Sequence, residues 1–153
     1  MVRQLQPFHT NTKKRLVKSP KIYLRDSGLL HYLMKIHDLE SLFSYPGLGL
    51  SWEGWCVEQI CSILPTTADI SFYRTNAGAE IDVLIHYAST KPAIAIEIKR
   101  SLDCRLTRGF WSAFEDIQPA KGYIIYPGQE SYPIAENVWT LPINQVGNIF
   151  AQK

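Results

Sequence analysis

AIAIEIKRS, residues 93–101, reads as a buried strand interrupted by two opposite charges. Side chains alternate along a strand, so Ile94, Ile96 and Ile98 share one face. Ala93, Ala95, Glu97 and Lys99 share the other. The charges thus lie side by side, next to small residues that leave room around them. A strand that is otherwise dry carries such a pair either as a strand-end salt bridge, which contributes little on a solvated face, or as part of a polar site.

The surroundings of this strand are legible. Upstream, ISFYRTN (70–76) is a strand and AGAEIDVLIHY (77–87) a second one, joined by a tight turn at Asn76–Gly78. On the second strand Glu80, Asp82, Leu84 and His86 are expected on one face, and Ile81, Val83, Ile85 and Tyr87 on the other. Before them, WEGWCVEQICSIL (52–64) is a helix capped by Ser51 and ended before Pro65. Trp52 and Trp55 are core candidates, Glu58 an exposed helix acid. Downstream, RLTRGFWSAFEDIQ (105–118) is amphipathic, with Phe110, Trp111, Phe114 and Ile117 as its core side. KGYIIYP (121–127) is apolar throughout, as an interior parallel strand requires. NVWTLPI (137–143) is another strand, and PINQVGNIF a closing helix. Three sequential strands followed by a helical crossover predict a mixed sheet flanked by helices.

If the hairpin pairs with the 93–101 strand, Asp82 stands near Glu97 and Lys99. The 52–64 helix is expected to pack on that face and to bring Glu53 there. Three carboxylates and one ammonium then converge from three elements. Glu80 is a candidate outer acid. Arg74 is expected to pair with a neighbouring acid, and Ser101 to cap the strand end.

Composition narrows the setting. The chain has 153 residues, 46% apolar and 20% charged, enough for one domain with a core. No apolar run approaches the roughly 20 residues of a membrane helix, and the N-terminus has no secretory pattern. Cys56, Cys61 and Cys104 are an odd number without a CxxC pair, which predicts reduced thiols and a cytoplasmic protein. Charge is unevenly placed. Residues 1–25 hold seven basic residues and no acid, while the other nine Lys/Arg face all fourteen acids, about −5 over residues 26–153. A basic arm on an acidic body suits a nucleic-acid contact as well as a solvated tail.

That arm contains two short extended segments around TNTKKR (10–15), a basic hairpin over 1–25. Two strands alone are marginal in water, so cover from an upstream piece or a partner chain is expected. Residues 26–50 follow as a short helix, capped by Asp26 or Ser27, and a linker. Residues 51–153 form the main domain.

Two resemblances emerge from these residues. Glu53 on a helix, Asp82 after a turn and Glu97-Ile98-Lys99 on the next strand resemble the PD-(D/E)XK nuclease superfamily. Asp82 follows Ile81 where the motif has Pro. The resemblance implies a restriction-endonuclease-like fold with Asp82, Glu97 and Glu53 on Mg²⁺ or Mn²⁺ and Lys99 positioning the attacking water. Such chemistry suits these residue types: Mg²⁺ takes a few carboxylate oxygens and keeps several waters, polarises the phosphodiester and acidifies bound water. Further, KRLVKSPKIYLRDSGLLHYL, GLSWEGWCVEQI, FYRTNAGAEIDVLI and IAIEIKRS together look like the C-terminal domain of unknown function of a bacterial and archaeal family of predicted AAA-type ATPases. No G-x-x-x-x-G-K-[ST] is present, so ATP binding by that device is excluded. The second resemblance implies that the 1–25 hairpin is the wing of a partial winged helix, with Lys13, Lys14, Arg15 and Lys18 facing phosphates. It also implies a truncated product, a fragment or one half of a split gene, with an AAA-type ATPase module, DNA or a second copy through residues 1–25 as partner. A non-catalytic docking or regulatory domain on the same fold is the alternative.

Overall fold

The apolar run 121–127 is the centre of the molecule. In the structure, a computed structural model that describes residues 1–9, 14–87 and 92–151, it forms β6 (Lys121–Tyr126). It is parallel to both neighbours, β5 (Ile94–Ile98) and β8 (Val138–Pro142). Tyr123 and Ile125 enter one apolar cluster, Ile124 and Tyr126 another. Burial on both faces explains why the sequence shows no alternation there. Each such side chain contributes about 1.5–3 kcal/mol.

The architecture is mixed α/β. One eight-stranded sheet runs β2-β1-β3-β4-β5-β6-β8-β7. It comprises β1 (Val2–Pro7), β2 (Lys21–Leu24), β3 (Ala68–Arg74), β4 (Glu80–Tyr87), β5, β6, β7 (Pro133–Ala135) and β8. The helices are α1 (Ser27–Leu33), α2 (Leu39–Ser44), α3 (Leu48–Ser62), α4 (Arg108–Ile117) and α5 (Asn148–Ala151). Cys56, Val57 and Ile60 of α3 pack on one face with Val83, Ile85 and Ile96. Phe110 and Ala113 of α4 pack on the other with Tyr73, Ala79, Ile81 and Ala95.

Several expectations change. The N-terminal hairpin needs no outside cover: β1 pairs antiparallel with β2 and parallel with β3, and so extends the main sheet. Ser51 does not cap α3. The helix starts earlier, from Gly47, and Ser51 sits inside it, bonded to His31 Nε2 at 2.7 Å. The closing helix is split into a 3₁₀ turn (Ile143–Gln145) and α5. The expected α1 and its cap hold, with Asp26 accepting from the Leu29 N–H. Yet no residue of α1 or α2 is buried, and Tyr32, Leu33, Leu39 and Phe43 are exposed. Trp55 is also partly exposed, against its expected core place.

The largest local departure is in β4. Ser71 pairs with Leu84 and Tyr73 with Ile81, so Asp82 and Val83 together oppose Phe72. This is a β-bulge, one extra residue that re-aims side chains. Strict alternation therefore fails: Ile81 packs with the α4 side and Val83 with the α3 side. The expected turn precedes it, with Gly78 at φ 88° and the Thr75 hydroxyl accepting from the Ala79 N–H.

That turn packs against the start of α4 so closely that a Cβ at Gly109 would overlap the Gly78 carbonyl oxygen, whereas one at Gly49 in α3 meets open space. Gly109→Ala is expected to destabilise by about 1–3 kcal/mol. Gly49→Ala is expected to be neutral or stabilising by up to ~1 kcal/mol. Urea unfolding of both variants checks the contrast.

Candidate functional site

The ladder between β4 and β5 runs from Ile85↔Ile94 to Val83↔Ile96 and stops there. Beyond it the Asp82 carboxylate replaces the backbone acceptor and takes the Ile98 N–H at 3.0 Å. The strands part where the sequence places Asp82 and Glu97. Backbone pairing of β5 continues only with its other neighbour, Lys99 N–H donating to the Ile125 carbonyl at 2.9 Å.

Glu53 arrives by a different route from that expected. Helix α3 packs on the face of Ile94, Ile96 and Ile98, whereas Ala95, on the face of Glu97 and Lys99, packs with α4. The acids do not fall into one ring. They form two groups joined by Asp82.

The first group surrounds Lys21, one of the cations of the basic arm. Lys21 Nζ lies 2.9 Å from Glu53 Oε1, 3.2 Å from Glu80 Oε1 and 3.2 Å from Asp82 Oδ1. Its side chain is 15% exposed. Burial alone would lower the ammonium's pKa, but the Asp82, Glu53 and Glu80 carboxylates outweigh it and raise it. The ring of Phe72 lies 5.4 Å away. Tyr23 donates its hydroxyl to the same Glu53 oxygen at 2.5 Å, and burial followed by the Glu53 charge pushes that phenol up. Glu80 is therefore inside the cluster, and its second oxygen takes Arg74 Nη2 at 2.8 Å, the acid partner expected for Arg74.

The second group is Glu97 and Lys99, paired at 2.9 Å. Trp52 Nε1 donates to the Lys99 carbonyl at 3.1 Å, so α3 also anchors this strand end. Ser101 bonds the Asp103 carbonyl, and Arg100 is exposed.

The basic arm is mostly spoken for. Arg3 and Arg25 both hold Glu58, at 2.6 and 2.9 Å, so Glu58 is not the exposed acid expected. Lys14 binds Asp116 at 2.8 Å and the Ser112 hydroxyl at 3.3 Å. Arg15 and Lys18 are exposed. Lys13 lies outside the described residues.

Carboxylate oxygens alone suit a hard divalent cation, and the Lys21 ammonium stands among three of them as a cation of the chain's own. As they stand, no three acidic, His or Cys side chains among the described residues are disposed to hold a metal ion. The space among the three acids is taken by the Lys21 ammonium.

The fold and cluster define an α/β domain whose sheet ends in a carboxylate–lysine cluster. The chain belongs to the family described as a domain of unknown function (DUF4143), matched over residues 48–146 and associated with AAA-ATPase-like proteins. A second family, also described as a domain of unknown function (DUF8612), matches residues 1–40. The chain is similar to uncharacterized protein Mb2031c of Mycobacterium bovis and uncharacterized protein Rv2008c of Mycobacterium tuberculosis. Each is 40% identical over 146 residues, 95% of this chain and 32% of the relative. The chain thus spans about a third of their length. No solved structure matches. No helix among the described residues is long and apolar enough to cross a membrane.

Burial, and after it the Asp82 charge, raise the Glu97 carboxyl from 4.5 to about 7 against the pull of Lys99. The folded state then binds more protons than the unfolded one between these values. Stability is expected to fall as pH rises from about 4.5 to about 7, by up to ~3 kcal/mol. Urea midpoints across that window test this, and Glu97→Gln should flatten the slope.

Proposed function

We propose that this chain is a PD-(D/E)XK-like domain that engages DNA and hydrolyses its phosphodiester bonds with Mg²⁺ or Mn²⁺. The observation that carries the reading is Asp82 and Glu97-Ile98-Lys99 at the parting ends of two adjacent strands, with Glu53 linked to Asp82 through Lys21. The element order supports it: helix, three strands, helix, strand, from α3 to β6.

In this reading Asp82 and Glu97 would hold the cation, with Glu53 as a further ligand directly or through water. The metal supplies Lewis acidity and a more acidic bound water. Lys99, fixed by Glu97 at 2.9 Å, orients the nucleophile and offsets charge growing on the phosphate. The bulge at Asp82 and the ordered strand ends hold these groups in place before substrate arrives. Arg15 and Lys18, exposed on the arm, serve backbone phosphates. The other two basic residues expected there contribute less: Lys14 is engaged by Asp116, and Lys13 is undescribed. The family's association with AAA-ATPase-like proteins supports an ATPase module as partner. The outermost position of β2 in the sheet supports a second copy through residues 1–25 as the other, since a sheet edge offers unpaired backbone groups. Three free thiols, two of them buried, support a reducing, cytoplasmic setting.

A second reading has its own support. Lys21 already pairs with Glu53, Glu80 and Asp82, as expected of a non-catalytic docking or regulatory domain that keeps the fold without turnover.

The two separate in one assay. Cleavage of plasmid and single-stranded DNA is expected to require Mg²⁺ or Mn²⁺, to stop with EDTA and to drop at least ~100-fold in Lys99→Ala and Asp82→Asn. Equal cleavage by the variants assigns the activity to a contaminant or another site. DNA or protein binding that ignores EDTA and survives Asp82→Asn, without cleavage, selects the second reading.

A further inference from the structure

Lys21 comes from outside the DUF4143 segment, yet it sits deeper among the acids than Lys99 does: its side chain is 15% exposed against 22%. It is delivered by β2, whose place is fixed through β1. Leu5 pairs with Lys21 in register and is itself in the α3-side core. The hold on the rest of the sheet has two parts: residues 15–17 before β2 are pinned by Val17 N–H to the Arg74 carbonyl and Asn76 N–H to the Arg15 carbonyl, both 2.9 Å, and the second part is short. β1 meets β3 in two register pairs, Gln6↔Ser71 and Pro7↔Phe72, extended by Phe8 N–H to the Phe72 carbonyl at 2.7 Å. Three carboxylate oxygens lie within 3.2 Å of the ammonium. That is the spacing at which a second cation meets both the repulsion of Lys21 and a lack of room.

We infer that Lys21 is a built-in plug: its ammonium takes the seat between Glu53 and Asp82, so divalent-cation binding there requires Lys21 to leave and loosens β2. The inference rests on the metal reading above and adds its regulation. Charge makes the exchange feasible, because three carboxylates share the one Lys21 ammonium and a divalent cation offsets more of their charge than it does. Sequence register makes it local, because only Lys21 and Tyr23 of β2 reach the cluster. Anything that draws Lys21 away, a nucleic-acid phosphate included, favours the cation.

Mn²⁺ binding to the full chain, followed by the electron paramagnetic resonance of the free ion, tests the exchange in wild type, Lys21→Met and Lys21→Arg. Lys21→Met is expected to bind roughly tenfold tighter or more, as removal of a like charge from a partly dehydrated seat implies. Lys21→Arg should gain nothing, and Asp82→Asn added to Lys21→Met should abolish the gain. A second readout needs no variant. Mn²⁺ added to wild type should speed amide exchange at the β2 residues paired with β1, and leave β6 unchanged. Equal Mn²⁺ affinity in wild type and Lys21→Met, or unchanged β2 exchange in Mn²⁺-saturated wild type, overturns the plug and leaves the metal reading standing. Absence of binding in both proteins overturns the metal reading and the plug with it.

Discussion

Carboxylates cannot be crowded at the end of a sheet unless positive charge is folded in among them. An acid taken out of water beside another acid loses hydration and gains repulsion, and it must be protonated or paired. Glu53, Glu80, Asp82 and Glu97 meet this constraint with Arg74 and with two lysines from distant parts of the chain. Lys99 comes from the strand that carries Glu97, Lys21 from a hairpin some 60 residues before Asp82. The hairpin is therefore an electrostatic part of the site as well as an edge of the sheet. The same logic recurs around it, where Arg3 and Arg25 hold Glu58 and Lys14 holds Asp116. An arm without acids on a body rich in them is a seam that closes on itself.

Backbone geometry does the rest. An antiparallel pair that continued past Val83↔Ile96 would close the sheet over the place where the acids stand. The bulge opposite Phe72 turns Asp82 so that one carboxylate oxygen satisfies the Ile98 N–H and the other meets Lys21. One side chain thus terminates a ladder and joins two charge groups. A part-buried amide left without that acceptor would cost up to about 1–3 kcal/mol, so the carboxylate has a structural duty whatever else it does. This dual duty explains why a polar cluster persists next to the apolar face of Ile94, Ile96 and Ile98.

What sequence exposes is what repeats with a period. The apolar run of β6, the aromatic stripe of α4 and the turn at Gly78 all declare themselves through spacing and residue type, and all three are where they were expected. Glu53, Asp82, Glu97 and Lys99 declare themselves as charges in elements that should be dry. Three features left no such mark. A bulge adds one residue and no distinctive letter, so Asp82 and Val83 read as ordinary alternation. The face on which α3 packs depends on the path of the chain, and its composition is apolar nearly all round. Lys21 looked like one more cation in a basic arm. Its only signal was position: in Lys21-Ile22-Tyr23 the lysine and tyrosine share a strand face, an apolar-polar pairing unusual for a solvated tail. The pairing of Glu58 leaves no local mark for a related reason, since its two arginines are 55 and 33 residues away.

The division of the chain into two recognised segments sharpens this. The family match over residues 48–146 contains Glu53, Glu80, Asp82, Glu97 and Lys99, while Lys21 and Tyr23 fall in the separate match over residues 1–40. A cluster that spans both cannot be electrically complete in either alone. Without the first segment, Glu53 loses its 2.5 Å phenol and its 2.9 Å ammonium at once. Glu53 and Asp82 are then left without that cation, with Glu80 held by Arg74 alone. Such a set of acids must take up protons, a metal ion or another cationic group to stay together. The N-terminal strands therefore supply a counter-charge to acids that belong to the domain behind them.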